Sequence, residues 1–335
     1  MKNPKYSVVI SRTPYRLNLA GATDLIPYVK RFRGQALSGT IDKYVTIVIR
    51  KRPDKKIIFH YALGTEEAVR LEDIAHPYVN AVLKWSGIKS GIDIASFTDI
   101  PLASGLGSSG AFTVGLINAI KKFLGFQVSP RELAERAAHL EIKILENPIG
   151  KHDQYLAAFG GICDLLFLRN GRVVIKKLRP SPAKQKELEN HLLLVYSGMN
   201  HSASKALSSV SKRLQTLHPE TIQGLHAFRD VGARMKFALA QENFFEFGNL
   251  VNDLWEIEKK VFDNSNERID DLIAKGKILG ALSGTIVGAG RGGFIYFFCP
   301  DLKTKKKIAL GLNKMGAPEY PFHFTHEGSK IIFAT

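Results

Sequence analysis

The sequence predicts an α+β fold in two domains, and three observations predict it. Short β-branched runs alternate with apolar stripes of helical period along the whole chain. At 335 residues the chain is long enough for two cores. One break in pattern, the Pro/Lys-rich run Arg179-Pro180-Ser181-Pro182-Ala183-Lys184, divides it into 1–183 and 184–335.

In chain order, 7–10, 44–49, 56–59 and 92–97 read as strands because β-branched residues dominate them. The run 76–85 reads as a helix. After a Gly/Ser-rich stretch at 101–110, apolar positions of helical period continue from 112 to 124. The next helix opens with Ser129 as N-cap, Pro130 in the first position and Glu132 at the capping-box position. Leu133, Ala137, Leu140 and Ile144 share one face of it, and Glu141 lies at the margin, about 80° from Leu133. The runs 162–168 and 173–176 form a hairpin about Asn170-Gly171. Beyond the break come a strand at 192–196 and helices at 202–217, 225–241, 245–261 and 267–275. A strand at 294–299, a helix at 302–315 and short strands at 321–324 and 330–334 complete the chain.

Composition narrows the function. No apolar run reaches membrane-spanning length, and the first residues lack a signal peptide's apolar region, so no membrane partner and a cytoplasmic location are expected. Cys163 and Cys299 have no metal-ligand spacing and read as buried free thiols. The charge of +16 is spread over separate runs (30–33, 50–52, 176–177, 303–307), and no aromatic-interleaved basic motif stands out. That pattern reads as solvated faces, and no nucleic-acid partner is expected.

Four segments carry chemistry. Pro101-Leu-Ala-Ser-Gly105-Leu106-Gly107-Ser108-Ser109-Gly110 precedes a helix, the layout of an anion cradle, because glycine backbone approaches a phosphate closely and the helix aims free N–H groups at it. It reads equally as a plain Gly/Ser turn. Arg16, Asn18 and Asp24 surround Gly21 and suit a polyhydroxylated substrate, or an ordinary polar turn after a strand. Glu141 and Asp153 suit metal binding and the orientation of a hydroxyl, or a helix salt bridge and a helix cap. Gly288-Ala289-Gly290-Arg291-Gly292-Gly293 admits close backbone approach, or forms a tight turn.

Taken together, in their order and spacing, these segments resemble the GHMP kinases, named for galactokinase, homoserine, mevalonate and phosphomevalonate kinases. Pro14–Asp24, Pro101–Ala111 and Gly288–Gly293 resemble that family's three motifs, and nearly the whole chain resembles its heptose 7-phosphate 1-kinases. The resemblance implies a ribosomal-protein-S5-like N-terminal domain and a ferredoxin-like C-terminal domain. It implies ATP and Mg²⁺ as cofactors and a sugar or sugar phosphate as substrate, with a homodimer as the assembly to test. By that analogy Gly105, Leu106, Gly107, Ser108, Ser109 and Gly110 hold the phosphates, and Ser109 and Glu141 hold Mg²⁺. Asp153 faces the acceptor hydroxyl with Arg16 beside it, and Thr23, Asp24, Lys151 and Gly290 hold the substrate. The expected reaction is transfer of the γ-phosphate to the anomeric O1 of a heptose 7-phosphate or related sugar. A 1-kinase for an unphosphorylated sugar and a non-catalytic sugar- or ATP-binding regulator are the rival readings. Three positions depart from the usual pattern: one residue is missing before Thr23, His152 stands where Gln is usual, and Arg291 replaces a glycine.

Overall fold

The computed structural model describes residues 4–200 and 203–335. Its first half runs β1 (Val8–Ala20), α1 (Ile26–Val29), β2 (Gly34–Lys51), β3 (Ile57–Tyr61), β4 (Gly64–Ala68), α2 (Pro77–Ser86), β5 (Ile92–Thr98), α3 (Ser108–Phe123), α4 (Pro130–His139), α5 (His152–Phe159), β6 (Ile162–Phe167) and β7 (Val173–Leu178). There follow α6 (Pro182–His191), β8 (Leu192–Tyr196), α7 (Ala203–Gln215), α8 (Pro219–Ala240), α9 (Phe244–Phe262), α10 (Glu267–Ile278), β9 (Ser283–Ile286), β10 (Phe294–Phe298), α11 (Leu302–Asn313) and β11 (Lys330–Ala334).

An eight-stranded sheet dominates the first unit, in the order β11-β1-β2-β5-β3-β4, with β6 pairing the first part of β2 and β7 pairing β6. β1 is much longer than the expected strand at 7–10. Its polar residues Arg16 and Asn18 lie inside the strand and pair with Thr40 and Ser38 of β2, so the reading of 12–24 as a polar turn is corrected up to Ala20. The β1–β2 register slips between Pro14 and Arg16 and again between Asn18 and Ala20. Such bulges re-aim side chains beside functional sites, and here they bracket the two polar residues.

The second unit is a three-stranded antiparallel sheet in the order β8-β10-β9, extended by one bridge from Val195 to Glu319. Counting that bridge as a minimal fourth strand, the order is that of a split βαβ, ferredoxin-like layer. β9 escaped the sequence because Ser283, Gly284 and Thr285 give little strand signal. Gly284 is required there, since a Cβ would sit 2.6 Å from the Phe297 ring. The expected strand at 321–324 shrinks to one bridge between Phe324 and Ile41. The boundary expected at 183/184 falls inside the first turn of α6, capped by Ser181. β11 then crosses back to β1, so 330–334 belong to the first sheet and not to the second unit.

One apolar core runs through both units. α8 packs on β1 and β2, α9 packs on β9, and Leu17, Phe228, Phe247 and Phe298 are continuous within it. A smaller core, with Trp255, Ile269 and Phe297, closes the far face of the second sheet. Truncating one such buried Leu or Phe costs about 2–5 kcal/mol. Both cysteines are buried and unpaired, and burial pushes their thiols up to about 11 at Cys163 and about 12 at Cys299. Among the described residues no helix is long and apolar enough to cross a membrane.

Candidate active site

Where the two units meet, a cleft of about 790 Å³ opens. Its floor is the loop before α3. Gly107 is the N-cap of α3 in left-handed conformation, and no side chain caps the helix, so its first amides remain available to an anion. The loop is pinned from below by Leu106, fully buried in the core, and from the side by the Gly288–Gly293 turn. A Cβ on Gly288 would lie 2.6 Å from Gly105 O, and one on Gly105 would collide with Val287 O. The two glycine segments therefore pack backbone to backbone, the close approach that their composition predicted.

Arg16 ties this loop to the catalytic candidate. Its Nε donates to Asp153 Oδ1 at 2.8 Å and its Nη1 donates to Gly105 O at 2.5 Å, while its own N–H donates to Leu106 O. Burial works against a charge on Asp153. The charge of the Arg16 guanidinium and its hydrogen bond hold the carboxyl below its ordinary value. Asp153 sits inside the first turn of α5, so its reading as a cap for a helix from 154 is corrected. Its other oxygen faces the glycine loop, 3.2 Å from where a Gly107 Cβ would be.

Glu141 is fully buried, although simple helical geometry placed it at a margin. α4 passes into a π-turn at Leu140–Ile144, with Leu145 N donating to Leu140 O, and the extra residue rotates Glu141 inward. Its Oε1 accepts from Gln154 Nε2 at 2.8 Å, and its Oε2 has no partner among the described residues. Burial raises this carboxyl to about 7, against the pull of Gln154, Ser109 and Thr113. An orphaned carboxylate oxygen beside a serine hydroxyl at a helix start fits a small hard cation such as Mg²⁺.

Of the four expected substrate residues, Asp24 and Gly290 line the cleft. Asp24 Oδ2 accepts from His152 N at 2.8 Å, and burial raises its carboxyl to about 6. Thr23 and Lys151 do not reach the cleft, which corrects both. The Thr23 hydroxyl is spent on the Gln35 backbone, donating to its O and accepting from its N–H. Lys151 Nζ points outward to Glu135 Oε2 at 2.7 Å and Gly171 O at 3.0 Å. Arg291 adopts φ +60 and turns its guanidinium to Asp263, away from the cleft.

The structure adds residues that the sequence did not signal. Phe59, Tyr61, His76, Tyr78 and Phe112 form an aromatic wall at one end, with Phe59 and Tyr61 stacked at 4.7 Å. They come from separate elements, and no spacing links them. Flat apolar rings with a polar edge suit a nucleobase. The cleft is lined also by Asn18 and His152, both noted in the sequence, and by Phe228, Glu258 and Phe262, which were not.

A backbone cradle facing an arginine-held carboxylate is built to move a phosphoryl group between two small molecules, and the class that this defines is a kinase. Residues 73–161 match the GHMP kinases N terminal domain and residues 235–318 match the GHMP kinases C terminal family. The chain belongs to the GHMP kinases. The D-glycero-alpha-D-manno-heptose 7-phosphate kinase of Campylobacter jejuni is 29% identical over 336 residues, covering 96% of this chain and 97% of that protein. A mevalonate kinase of Pyrococcus furiosus is 26% identical over 262 residues, covering 76% of this chain and 73% of that protein. Among solved structures, a D-glycero-D-manno-heptose 1-phosphate kinase from Bacteroides thetaiotaomicron superposes with a TM-score of 0.80 at 25% identity, covering 97% of this chain and 99% of that one.

Proposed function

We propose that this kinase transfers the γ-phosphate of ATP to the anomeric O1 hydroxyl of a heptose 7-phosphate or a closely similar sugar, in the cytoplasm and with Mg²⁺. The observation that supports it most is the Arg16–Asp153 pair laid against the open N-terminus of α3. The amides from Gly105 to Gly110 are the phosphate donors in this reading, and the aromatic wall takes the base. Asp153 orients and deprotonates the acceptor hydroxyl, and Arg16 balances charge on the transferring group. Ser109 and Glu141 would hold Mg²⁺, which when bound neutralises charge on the phosphates. Among the described residues no three His, Cys, Asp or Glu cluster into a protein-only metal cage, so the remaining ligands would be phosphate oxygens and water.

One observation favours an unphosphorylated sugar as second reading. Among the described residues that line the cleft, Arg16 is the single arginine or lysine, and it is already committed to Asp153 and Gly105. A substrate phosphate would want a further cation. Coupled detection of ADP across aldoses, heptoses and their terminal phosphates separates the readings, with phosphorus NMR assigning the product. Turnover with heptose 7-phosphate at least tenfold above the free heptose supports the first. The reverse order supports the second, and no ADP with any sugar overturns both.

A further inference from the structure

His152 is not used by the reaction as described above, yet its ring is buried directly beside Asp153. Its tautomer follows from its partners. Ser38 Oγ donates its one proton to Asn18 Oδ1 at 3.0 Å. With the Asn18 amide oxygen turned to Ser38, as it is here, the same hydroxyl oxygen, 2.7 Å from His152 Nε2, accepts there and Nε2 carries the ring proton. That leaves Nδ1 as a bare lone pair, 3.4 Å from Asp153 Oδ1. Two acceptors face each other with no proton between them, at the wall of the cleft where the acceptor hydroxyl would sit.

We propose that His152 and Asp153 form one proton-accepting pair, with Ser38 and Asn18 locking the histidine tautomer so that Nδ1 takes the proton which the acceptor hydroxyl releases. This rests on the reading of Asp153 as the group that meets that hydroxyl. The O–H bond of the acceptor breaks and its electron pair stays on the oxygen that attacks phosphorus. The proton passes through the carboxylate, and an N–H bond forms at Nδ1. The pair changes from carboxylate and neutral imidazole to carboxylate and imidazolium. It gains one positive charge as the nucleophile gains one negative charge, and no further reactant is needed.

The surroundings set when the ring can hold that proton. Burial keeps His152 neutral at rest, with its pKa at about 4; the Asp153 charge raises it and Arg16 lowers it. Ser38 of β2 bonds the ring and links it to Asn18 of β1, the charges of Asp153 and Arg16 act on it, and the Asp24 carboxylate holds the His152 backbone N–H. Arg16, Asp24 and Asp153 are the charged groups nearest it. The ring thus accepts a proton only while negative charge is developing beside it, and releases it to water once the product has left.

Four variants and one spectrum test the pair. D153N, assayed alone, tests the base reading itself: retained turnover overturns that reading and the pair with it. With D153N inactive, H152Q keeps a donor for Ser38 and an acceptor toward Asp153 but cannot take a proton. It is expected to bind ATP and melt as the parent does, to lose at least tenfold in kcat with the KM for ATP within twofold, and to shift the acid limb of the kcat profile to lower pH. H152F is expected to lose at least as much. S38A is expected to lose severalfold in kcat as the tautomer is freed. In ¹⁵N-histidine spectra the His152 resonance, assigned by its absence in H152Q, is expected as neutral Nε2–H. Parental kcat in H152Q at every pH, or an Nδ1–H resonance, overturns the pair while leaving Asp153 as base.

Discussion

Gly110 and Asp153 touch so closely that a Cβ on Gly110 would lie 2.8 Å from the Asp153 Cβ and 3.2 Å from its carbonyl carbon. The first turn of α3 and the first turn of α5 are thus in backbone-scale contact, and that contact sets the depth of the carboxylate over the phosphate cradle. Gly110→Ala adds about 1 kcal/mol of helix propensity, yet it must push α5 away. We expect a Tm within a few degrees of the parent and a kcat lower by about a hundredfold, the order that a 1 Å misplacement costs. Calorimetry and steady-state kinetics on the same preparation check both halves.

Arg16 makes two side-chain bonds in different directions, to Asp153 Oδ1 and to Gly105 O. A lysine ammonium cannot reproduce the rigid fork. Arg16→Lys should lower kcat by about a hundredfold or more and raise the KM for ATP severalfold, because both the carboxylate and the loop lose their shared tie. A purely electrostatic role would leave the lysine variant near parental activity, and initial-rate kinetics decide between the two.

Lys151 is spent on Glu135 and the Gly171 carbonyl, outside the cleft. Lys151→Ala should therefore leave kcat and the sugar KM within about twofold, with a stability loss of no more than about 1 kcal/mol, as for a partly exposed pair. Titration of sugar at saturating ATP, with a denaturant melt alongside, is the check.

Glu258 is buried in α9 with Oε2 accepting from Thr285 Oγ1 at 2.9 Å, and burial raises its carboxyl from 4.5 to about 8. Below pH 4.5 both folded and unfolded chains are protonated at this group, and its contribution to stability is fully present. As pH rises toward 8 only the unfolded chain ionises, so stability falls by up to about 1.4 kcal/mol per pH unit. Glu258→Gln keeps a partner for Thr285 and removes the charge. Its Tm should decline less than the parent's between pH 5 and 8.5, as read by thermal melts in matched buffers.

The parts of this molecule that were legible in the sequence are those in which one short segment does one job. Ser129 caps α4 and β8 begins at Leu192, both where the pattern of the chain puts them. The loop from Gly105 to Gly110 announces itself because only glycine tolerates such backbone contact. What stayed hidden depends on distant partners. Thr23 looks like a substrate ligand until Gln35 claims its hydroxyl, and so does Lys151 until Glu135 claims its ammonium. Glu141 needed the π-turn at Leu140–Ile144, which a fixed 100° step does not foresee. The aromatic wall needed the sheet, because Phe59, His76 and Phe112 meet only after β3, α2 and α3 have packed.

The return of β11 to the edge of β1 governs how the cleft can move. The ferredoxin-like unit leaves the first sheet after β7 and rejoins it through Phe324 and β11, so it is strapped at both ends. A lobe held by two straps cannot swing out like a gate on one hinge. A further tie is the Tyr296 hydroxyl, which donates to Leu19 O on the opposing unit. The Gly105–Gly288 seam adds another tie beside the cradle itself, so the phosphate-binding loop is built across a junction held from several directions.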